Sequence, residues 1–378
     1  MEPLSGRGLY IHVPFCRSRC HFCAFYLEIH DKAKAAAYVR GLTQEIRLHR
    51  ANQTFRDEPL TSVYFGGGTP TTLSIEELRS ILVLIRESFT LDPQAELSIE
   101  AHPDTVTPAT LGELVEVGFT RISFGAESMK REELTRVGRP GSPMGTAGAV
   151  GAARQAGFSN INLDLMYGLP GQTAASWHAS LQAIIALKPS HVSCYALTME
   201  EGTKLDDAVR AGAVAAPDAD FQNELDELAE QVLADAGFHR YEISNYHRGN
   251  SQCRHNLLYW TGASYLGLGP SAQSYVGNRR YGNVADLERY SDLLNAGQFP
   301  HGEIEYLSPV QRAREAVIFG LRKTAGIPVD LLHLNQSPDW AGIVRRLIEE
   351  HYLEQSDQSV RLTARGRRYA DEVSVQLL

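Results

Sequence analysis

The sequence has no run of about 18 apolar residues that would span a membrane, and residues 1–8 lack the apolar core of a signal peptide. These absences predict a cytosolic protein without a transmembrane span, and they leave room for transient membrane association. Lys and Arg (36) are outnumbered by Asp and Glu (45), which gives a net charge of -9. Such a chain is not expected to bind nucleic acid, because phosphate contacts need clustered Lys and Arg.

Cysteine is also scarce, with five in 378 residues. Three of them, Cys16, Cys20 and Cys23, lie close together in the sequence, whereas Cys194 and Cys253 stand alone. An odd number of cysteines in a large cytosolic chain argues against a disulfide framework. The crowded three therefore predict a metal site.

The Cys-x3-Cys-x2-Cys spacing leaves three interpretations open. Three thiolates can bind three irons of a [4Fe–4S] cubane and leave the fourth iron free for another ligand. Zinc is the alternative, with His12 or His21 as the fourth ligand, because structural zinc takes four. The cysteines could also be three isolated buried thiols. The spacing favours the iron–sulfur cluster over the other two.

The first 200 residues alternate between strands and helices, which predicts an α/β fold. Six strand–helix units in a row favour a partial (β/α)6 barrel over a flat, doubly wound sheet. The predicted strands are 9–13, 62–65, 96–100, 121–124, 160–167 and 191–197. The predicted helices between them are 32–50, 75–89, 108–117, 146–156 and 174–187.

Special residues follow these strands at their carboxyl ends, where α/β proteins place their sites. The three cysteines follow the first strand, and residues 66–69 (GGGT) follow the second. Glu100 ends the third strand, Glu127 follows the fourth, and Asp164 lies in the fifth. We therefore expect one functional rim, although each feature alone is also compatible with a turn or a surface ion pair.

Three domains are predicted along the chain. Residues 1–200 form the barrel, 201–305 cover and link it, and 306–378 form a small α+β domain of winged-helix-like type. The last domain contains four arginines that would suit DNA, but the acidic chain favours a solvated or packing face. These arginines are Arg361, Arg365, Arg367 and Arg368.

Residues 10–23 (YIHVPFCRSRCHFC) resemble the cluster loop of the radical S-adenosylmethionine (SAM) superfamily. Nearly the whole chain resembles its oxygen-independent coproporphyrinogen III oxidase-like group, including a HemN-type C-terminal domain at 306–378. Four further segments carry this resemblance: 65–71 (FGGGTPT), 98–104 (SIEAHPD), 162–170 (NLDLMYGLP) and 241–246 (YEISNY).

The resemblance implies a role for each matching residue. Cys16, Cys20 and Cys23 would bind the [4Fe–4S] cluster, and the amino and carboxylate groups of SAM would chelate the open iron. The reduced cluster would then cleave SAM to a 5′-deoxyadenosyl radical. Residues implied to contact SAM are Tyr10, Phe22, Gly67, Gly68, Thr69, Glu100, Glu127, Arg139, Asp164 and Ala196.

Two features resemble the haem chaperone branch of the group rather than the oxidases. Oxidases have a further cysteine where this chain has Phe25, and the chaperone branch carries a His-Asn-x-x-Tyr-Trp motif, found here at residues 255–260. The implied partners are haem, recipient apo-haemoproteins and an electron donor to the cluster. The implied haem contacts are His255, Asn256, Tyr259 and Trp260.

The resemblance leaves two other functions open. One is oxidative decarboxylation of coproporphyrinogen III, an activity that we expect to be absent. The other is a zinc-binding module without radical chemistry. One departure bears on the cofactor site: the family usually has Gln where Glu127 stands, and a carboxylate accepts hydrogen bonds but cannot donate them.

Overall fold

The structure is a computed structural model that describes residues 6–55, 58–332 and 338–378. It is an α/β fold in which one large sheet dominates. The strands are β1 Arg7–Val13, β2 Phe15–Cys16, β3 Glu28–Ile29, β4 Leu60–Gly67, β5 Leu91–Ala101, β6 Arg121–Glu127, β7 Asn160–Tyr167, β8 His191–Ala196, β9 His239–Arg240, β10 Asn245–His247, β11 Tyr265–Leu268, β12 Gln273–Val276, β13 Arg279–Asn283, β14 His301–Tyr306, β15 Ile327–Pro328, β16 Leu353–Gln355 and β17 Ser359–Leu362.

Most helices connect consecutive strands of the large sheet. The helices are α1 Lys32–Ala51, α2 Ile75–Ser88, α3 Pro108–Val117, α4 Arg131–Arg136, α5 Pro143–Ala156, α6 Ala174–Ala186, α7 Lys204–Arg210, α8 Ala219–Asp235, α9 Arg254–Thr261, α10 Leu287–Asn295, α11 Pro309–Leu321, α12 Val329–Leu332, α13 Pro338–Glu349, α14 Ala364–Arg368 and α15 Ala370–Leu377. Two short 3-10 turns lie at Pro70–Thr72 and Pro103–Thr105. No described helix is both long and apolar enough to cross a membrane.

The six predicted strands form the centre of the large sheet. Its order is β14-β13-β12-β11-β1-β4-β5-β6-β7-β8-β10-β9, and β1, β4, β5, β6, β7 and β8 pair in parallel. This confirms the six consecutive strand–helix units and the α/β class. In the part of the chain that the structure describes, the sheet is open and has twelve strands, whereas the sequence predicted six.

Both edges of the sheet come from the segment after residue 200. Strand β11 pairs in parallel with β1, while β10 pairs antiparallel with β8. These edge strands were not predicted, because they are short and lie in a Gly- and Tyr-rich segment. The division of the chain into domains at 200 and 305 stays a prediction, although strands from either side of residue 200 share one sheet.

The central strands alternate between apolar and polar side chains. In β7, Ile161, Leu163 and Leu165 belong to the main hydrophobic core, whereas Asn162 and Asp164 line a cavity on the opposite face. Strands buried between two layers of helices are usually apolar on both faces, whereas these strands are apolar on one face. The alternation arises because only one face packs against helices.

Local signals set the helix ends. Ser74 and Glu77 form a capping box at the start of α2, and α3 and α5 end at Gly118 and Gly157, each with φ of 111°. Helix α5 begins at Pro143 rather than at the predicted residue 146, because Ser142 caps it and proline suits the first helical turn.

The C-terminal residues form a small α+β unit with its own hydrophobic core. Its antiparallel sheet has the order β15-β17-β16. The four arginines that would have suited DNA all have partners: Arg361 pairs with Glu354, Arg367 with Glu230 and Arg368 with Glu227, and Arg365 lies over the Tyr352 ring.

Two glycines of the same helical segment should respond oppositely to alanine. Gly157→Ala should lower the free energy of unfolding by about 1–2 kcal/mol, because its left-handed φ strains a side chain. Gly148→Ala, in the α5 interior with no atom within 4 Å of the added Cβ, should raise it by up to about 1 kcal/mol. Denaturant titration measures both, and equal effects would contradict this account of the helix end.

Candidate functional site

One cavity of about 860 Å³ opens at the carboxyl ends of the parallel strands. This volume lies within the range of small-molecule sites. Side chains from all six central strands line it, so the sheet curves around it. The sequence-predicted residues that line it are Tyr10, Cys16, Cys20, Phe22, Cys23, Gly67, Gly68, Thr69, Glu100, Glu127, Arg139, Asp164, Ala196, His255, Asn256 and Tyr259.

The cysteine loop forms one wall of the cavity, and its three cysteines are free thiols. The Thr69 hydroxyl lies 3.4 Å from Cys16 Sγ, and Arg139 Nη1 donates to Cys20 Sγ at 3.6 Å. Burial raises the pKa of Cys16 and of Cys23. Metal binding here would therefore release protons, and the Arg139 charge would offset part of the resulting negative charge.

The donor set suits a cluster better than a single ion. Among the described residues, no three His, Cys, Asp or Glu side chains are arranged to hold one metal ion together. A cubane does not need such convergence, because each thiolate binds its own iron. Of the histidines considered as a zinc ligand, His12 contacts the Tyr10 hydroxyl and the Tyr26 carbonyl through its two ring nitrogens, and His21 does not line the cavity.

The glycine loop packs directly behind the cysteines. Gly67 has φ of 107°, and a Cβ there would lie 2.7 Å from the His12 ring. A Cβ on Gly68 would lie 2.6 Å from the Phe15 carbonyl oxygen. Glycine is therefore required here because the loop passes close to His12 and Phe15, which precede Cys16 in the chain.

Two carboxylates face the cavity from strands β5 and β7, with β6 between them. Glu100 accepts hydrogen bonds from the Tyr64 hydroxyl at 2.8 Å and the Gly67 N–H at 3.2 Å. Asp164 accepts from Ser123 at 2.9 Å and from Asn162 at 2.7 Å. Burial raises the pKa of Glu100 to about 7, and its hydrogen bond from Tyr64 opposes the shift. Acidic walls of this kind suit a cationic ligand such as the sulfonium and amine of SAM.

Glu127, the departure from the family pattern, has two donors beside it. The Tyr195 hydroxyl donates to Glu127 Oε2 at 2.7 Å, and Arg139 Nη2 lies 3.4 Å from Oε1. Burial raises the pKa of Glu127, and the charge of Arg139 opposes this rise. Both neighbours are donors, so an acceptor-only carboxylate is matched at this position.

The predicted haem motif begins helix α9, which closes the inner part of the cavity. Buried Glu96 on β5 accepts the N–H of Arg254 at 3.1 Å and of His255 at 3.4 Å. A carboxylate at a helix N-terminus pairs with unsatisfied N–H groups and the positive end of the helix dipole. Glu96 therefore ties the motif to the central sheet.

The His255 ring is held on both sides. Its Nδ1 lies 2.8 Å from Ser62 Oγ, and its Nε2 lies 2.8 Å from the Tyr259 hydroxyl. Burial lowers the pKa of His255 to about 3, with a further contribution from the Arg121 charge. Iron ligation by His255 stays a prediction, and it would require one of these two contacts to break.

Trp260 lies on the other side of α9 and does not line the cavity. The guanidinium of Arg322, from the C-terminal unit, lies 4.8 Å from its ring centroid. The motif therefore has two faces: His255, Asn256 and Tyr259 face the cavity, and Trp260 packs towards the C-terminal unit.

Comparisons with known proteins identify the relatives of this chain. Residues 10–184 match the Radical SAM superfamily and residues 307–369 the HemN C-terminal domain. Proteins named "Heme chaperone HemW" are 35% identical in Mycobacterium tuberculosis, covering 100% of this chain and 97% of the relative, and 32% identical in Bacillus subtilis, covering 97% and 98%.

The chain belongs to the HemW family. This confirms the resemblance to radical SAM proteins, whose family membership implies a [4Fe–4S] cluster and SAM. The structure of coproporphyrinogen III oxidase (HemN) from Escherichia coli has the same fold, with a TM-score of 0.85 over 99% of this chain and 90% of that one, at 22% identity.

Several cavity residues of this HemW-family chain were missed in the sequence. They are Tyr64, Arg121, Ser193 and Tyr195 on the parallel strands, and Asn245 from the segment after them. The available signal was the alternation of side chains along a strand. Residues two positions away from a predicted site residue lie on the same face of the sheet. Asp164 would have pointed to Asn162 and Met166, both of which line the cavity.

The raised pKa of Glu100 predicts a pH-dependent stability in the ligand-free protein. Its folded pKa of about 7 exceeds its unfolded value, so its contribution is most favourable below about pH 4.5 and is lost as the pH rises through 7. As the pH rises from 5 to 8, the free energy of unfolding of wild type should therefore fall relative to that of Glu100→Gln. The expected change in this difference is on the order of 3 kcal/mol.

Denaturant unfolding of both proteins across this pH range measures the difference. Substitution of the exposed Glu87 by Gln is the control and should give no such trend. A constant difference between wild type and Glu100→Gln would mean that Glu100 is ionised throughout.

Proposed function

We propose that this protein is a radical SAM haem chaperone, which binds haem and delivers it to apo-haemoproteins. The observation that carries the proposal is Phe25, which lines the cavity beside the cysteine loop where the oxidases resembled in sequence have a further cysteine. Its side chain is 65% exposed, so its apolar ring face is accessible to a planar ligand at the mouth of the cavity. Full-length similarity to proteins named "Heme chaperone HemW" supports the same function.

The cofactor roles follow from the cavity wall. Cys16, Cys20 and Cys23 would hold the cluster, which when bound supplies one electron to cleave SAM. Gly67 and Gly68 let the chain pass close to the cysteine strand, and Thr69 lies beside Cys16. This loop would position the methionine part of SAM near the open iron.

The remaining predicted SAM contacts are arranged by charge and shape. Glu100 and Asp164 present carboxylate oxygens to the cavity and would accept hydrogen bonds from SAM. Arg139 lies between Cys20 and Glu127, so it would offset negative charge on both sides. Tyr10, Phe22 and Ala196 complete the wall. These side chains would orient SAM and exclude water, while the cofactors supply the chemistry.

Haem would be recognised by aromatic side chains at two places. Phe25 is exposed beside the cysteine loop. Deeper in, the rings of Tyr64 and His255 stack with centroids 5.1 Å apart, and Tyr259 meets His255 edge-on at 5.1 Å. Apolar ring faces of this kind suit a porphyrin. The recipient haemoproteins, the electron donor and the cytosolic location are predictions from the sequence.

The cluster assignment predicts a specific loss. Anaerobically reconstituted protein should hold about four irons and four sulfides, and Cys16→Ala, Cys20→Ala or Cys23→Ala should abolish this content. Cys194→Ala is the matched control, because Cys194 is buried in the core of the sheet. Iron and sulfide analysis decides the matter, and one zinc bound with unchanged affinity in iron-rich medium would overturn the assignment.

The chaperone assignment predicts haem binding without oxidase activity. Haem should give a saturable Soret change at about one haem per chain, since ligation of the iron changes its spectrum. Phe25→Ala should weaken this binding while the iron and sulfide content stays that of wild type. Val83→Ala, at an exposed apolar residue in α2, is the control.

The same preparation should leave coproporphyrinogen III unconverted when it is reduced and supplied with SAM. Formation of protoporphyrinogen IX would show that the protein is the oxidase instead. Absence of any haem binding would contradict the chaperone function and leave a radical SAM protein of another substrate.

A further inference from the structure

Arg121 is a buried cation at the inner end of the cavity. It is the first residue of β6 and is 2% exposed, and it lies among the residues that line the cavity. Gly125, at the rim, follows it by four residues on the same strand, so their Cα atoms are roughly 13 Å apart. Arg121 therefore lies well below the rim where the cysteines and the glycine loop meet.

No described residue forms a hydrogen bond or a salt bridge with the Arg121 guanidinium, and its Nε is buried without a partner. Two other described arginines with largely buried side chains are paired. Arg139 lies 3.4 Å from Glu127, and Arg240 lies 2.9 Å from Asp226. A guanidinium cannot give up its proton, and an unpaired buried charge is strongly unfavourable. The environment of Arg121 is thus incomplete without a further group.

The nearby carboxylates of the chain are already engaged. Glu96, which attracts Arg121 at longer range, accepts the N–H groups that begin α9 and the Ser98 hydroxyl. Asp164 is held by Ser123 and Asn162, and Glu100 is held by Tyr64 and Gly67. Among the residues that the structure describes, no carboxylate beside Arg121 is left free, which leaves a bound group as the partner to test.

The surroundings of Arg121 are polar enough to receive such a group. Ser193, Ser244, Asn245 and Asn256 line the same cavity, and Asn245 Oδ1 is buried without a donor. A planar guanidinium binds carboxylates and phosphates in a two-point geometry. Three carboxylates of the chain lie nearby, and their repulsion disfavours a doubly charged phosphate relative to a singly charged carboxylate.

We propose that the inner end of the cavity binds a ligand carboxylate, with Arg121 as its ion-pair partner. Under the proposed function, on which this assignment of the source rests, the carboxylate is a propionate of haem. The other source of the same chemistry is a small free carboxylic acid. A haem held in this way would lie beside Tyr259 and His255, with its propionate directed to the inner end.

The test compares Arg121→Gln and Arg121→Lys with wild type in the full-length, cluster-loaded protein. The probes are haem, haem dimethyl ester, in which both propionates are neutral, and sodium propionate. Arg121→Gln should weaken haem binding by about 10- to 100-fold, the range for one charge-assisted ion pair. Its affinity for the dimethyl ester should stay that of wild type, and Arg121→Lys should recover part of the loss for haem.

Arg17→Gln is the matched control, because Arg17 lines the same cavity, is exposed, and donates to the Asp104 carbonyl. It should bind haem like wild type. Thermal unfolding without ligand gives a second readout. Arg121→Gln should be at least as stable as wild type, because it removes an unpaired buried charge.

The outcomes separate this inference from the proposed function. If wild type binds no haem but sodium propionate raises its Tm and not that of Arg121→Gln, the carboxylate site stands and the chaperone function fails. If haem binds and Arg121→Gln changes neither haem nor propionate binding, the inference is wrong and the chaperone function stands. If Arg121→Gln lowers the Tm without ligand and weakens haem and its ester equally, Arg121 is a structural residue and the inference is also wrong.

Discussion

The constraint on which this structure depends is that the six parallel strands are polar on one face. Polar groups removed from bulk water need partners, and most find them on the next strand, as Asp164 does with Ser123 and Glu100 does with Tyr64. The helices can cover only the apolar face, which leaves the polar face for a ligand. The sheet therefore curves around a cavity instead of forming the two-sided core of a flat α/β fold.

Helix α9 closes the inner part of the cavity and forms hydrogen bonds with polar groups of the sheet there. Glu96 fixes its first turn, and the contact of His255 with Ser62 joins it to β4. The same helix presents Trp260 to Arg322 of the C-terminal unit. The motif is thus first a structural wall, and a role in haem binding would use the ring faces of that wall more readily than its occupied imidazole nitrogens.

The sequence was informative where signals are local. The strands of the centre, the helix ends at Gly118 and Gly157, and the cysteine loop each follow from a few adjacent residues. The edge strands were missed because β11 is four residues long and gains its place only by pairing with β1. Arg121 was missed for a different reason. The sequence of a short strand does not show which face of the sheet a single arginine is on, because that depends on the neighbouring strands and on α9.

The pairing of β1 with β11 also affects how the chain is made. Gly8 pairs with Tyr265, so one edge of β1 has no partner in the sheet until β11 has been synthesised. An open parallel edge exposes N–H and C=O groups that can pair with other chains, and contacts so distant in sequence form slowly. The nascent chain therefore has a long interval of aggregation risk, and a fragment that ends before β11 would keep that edge open permanently.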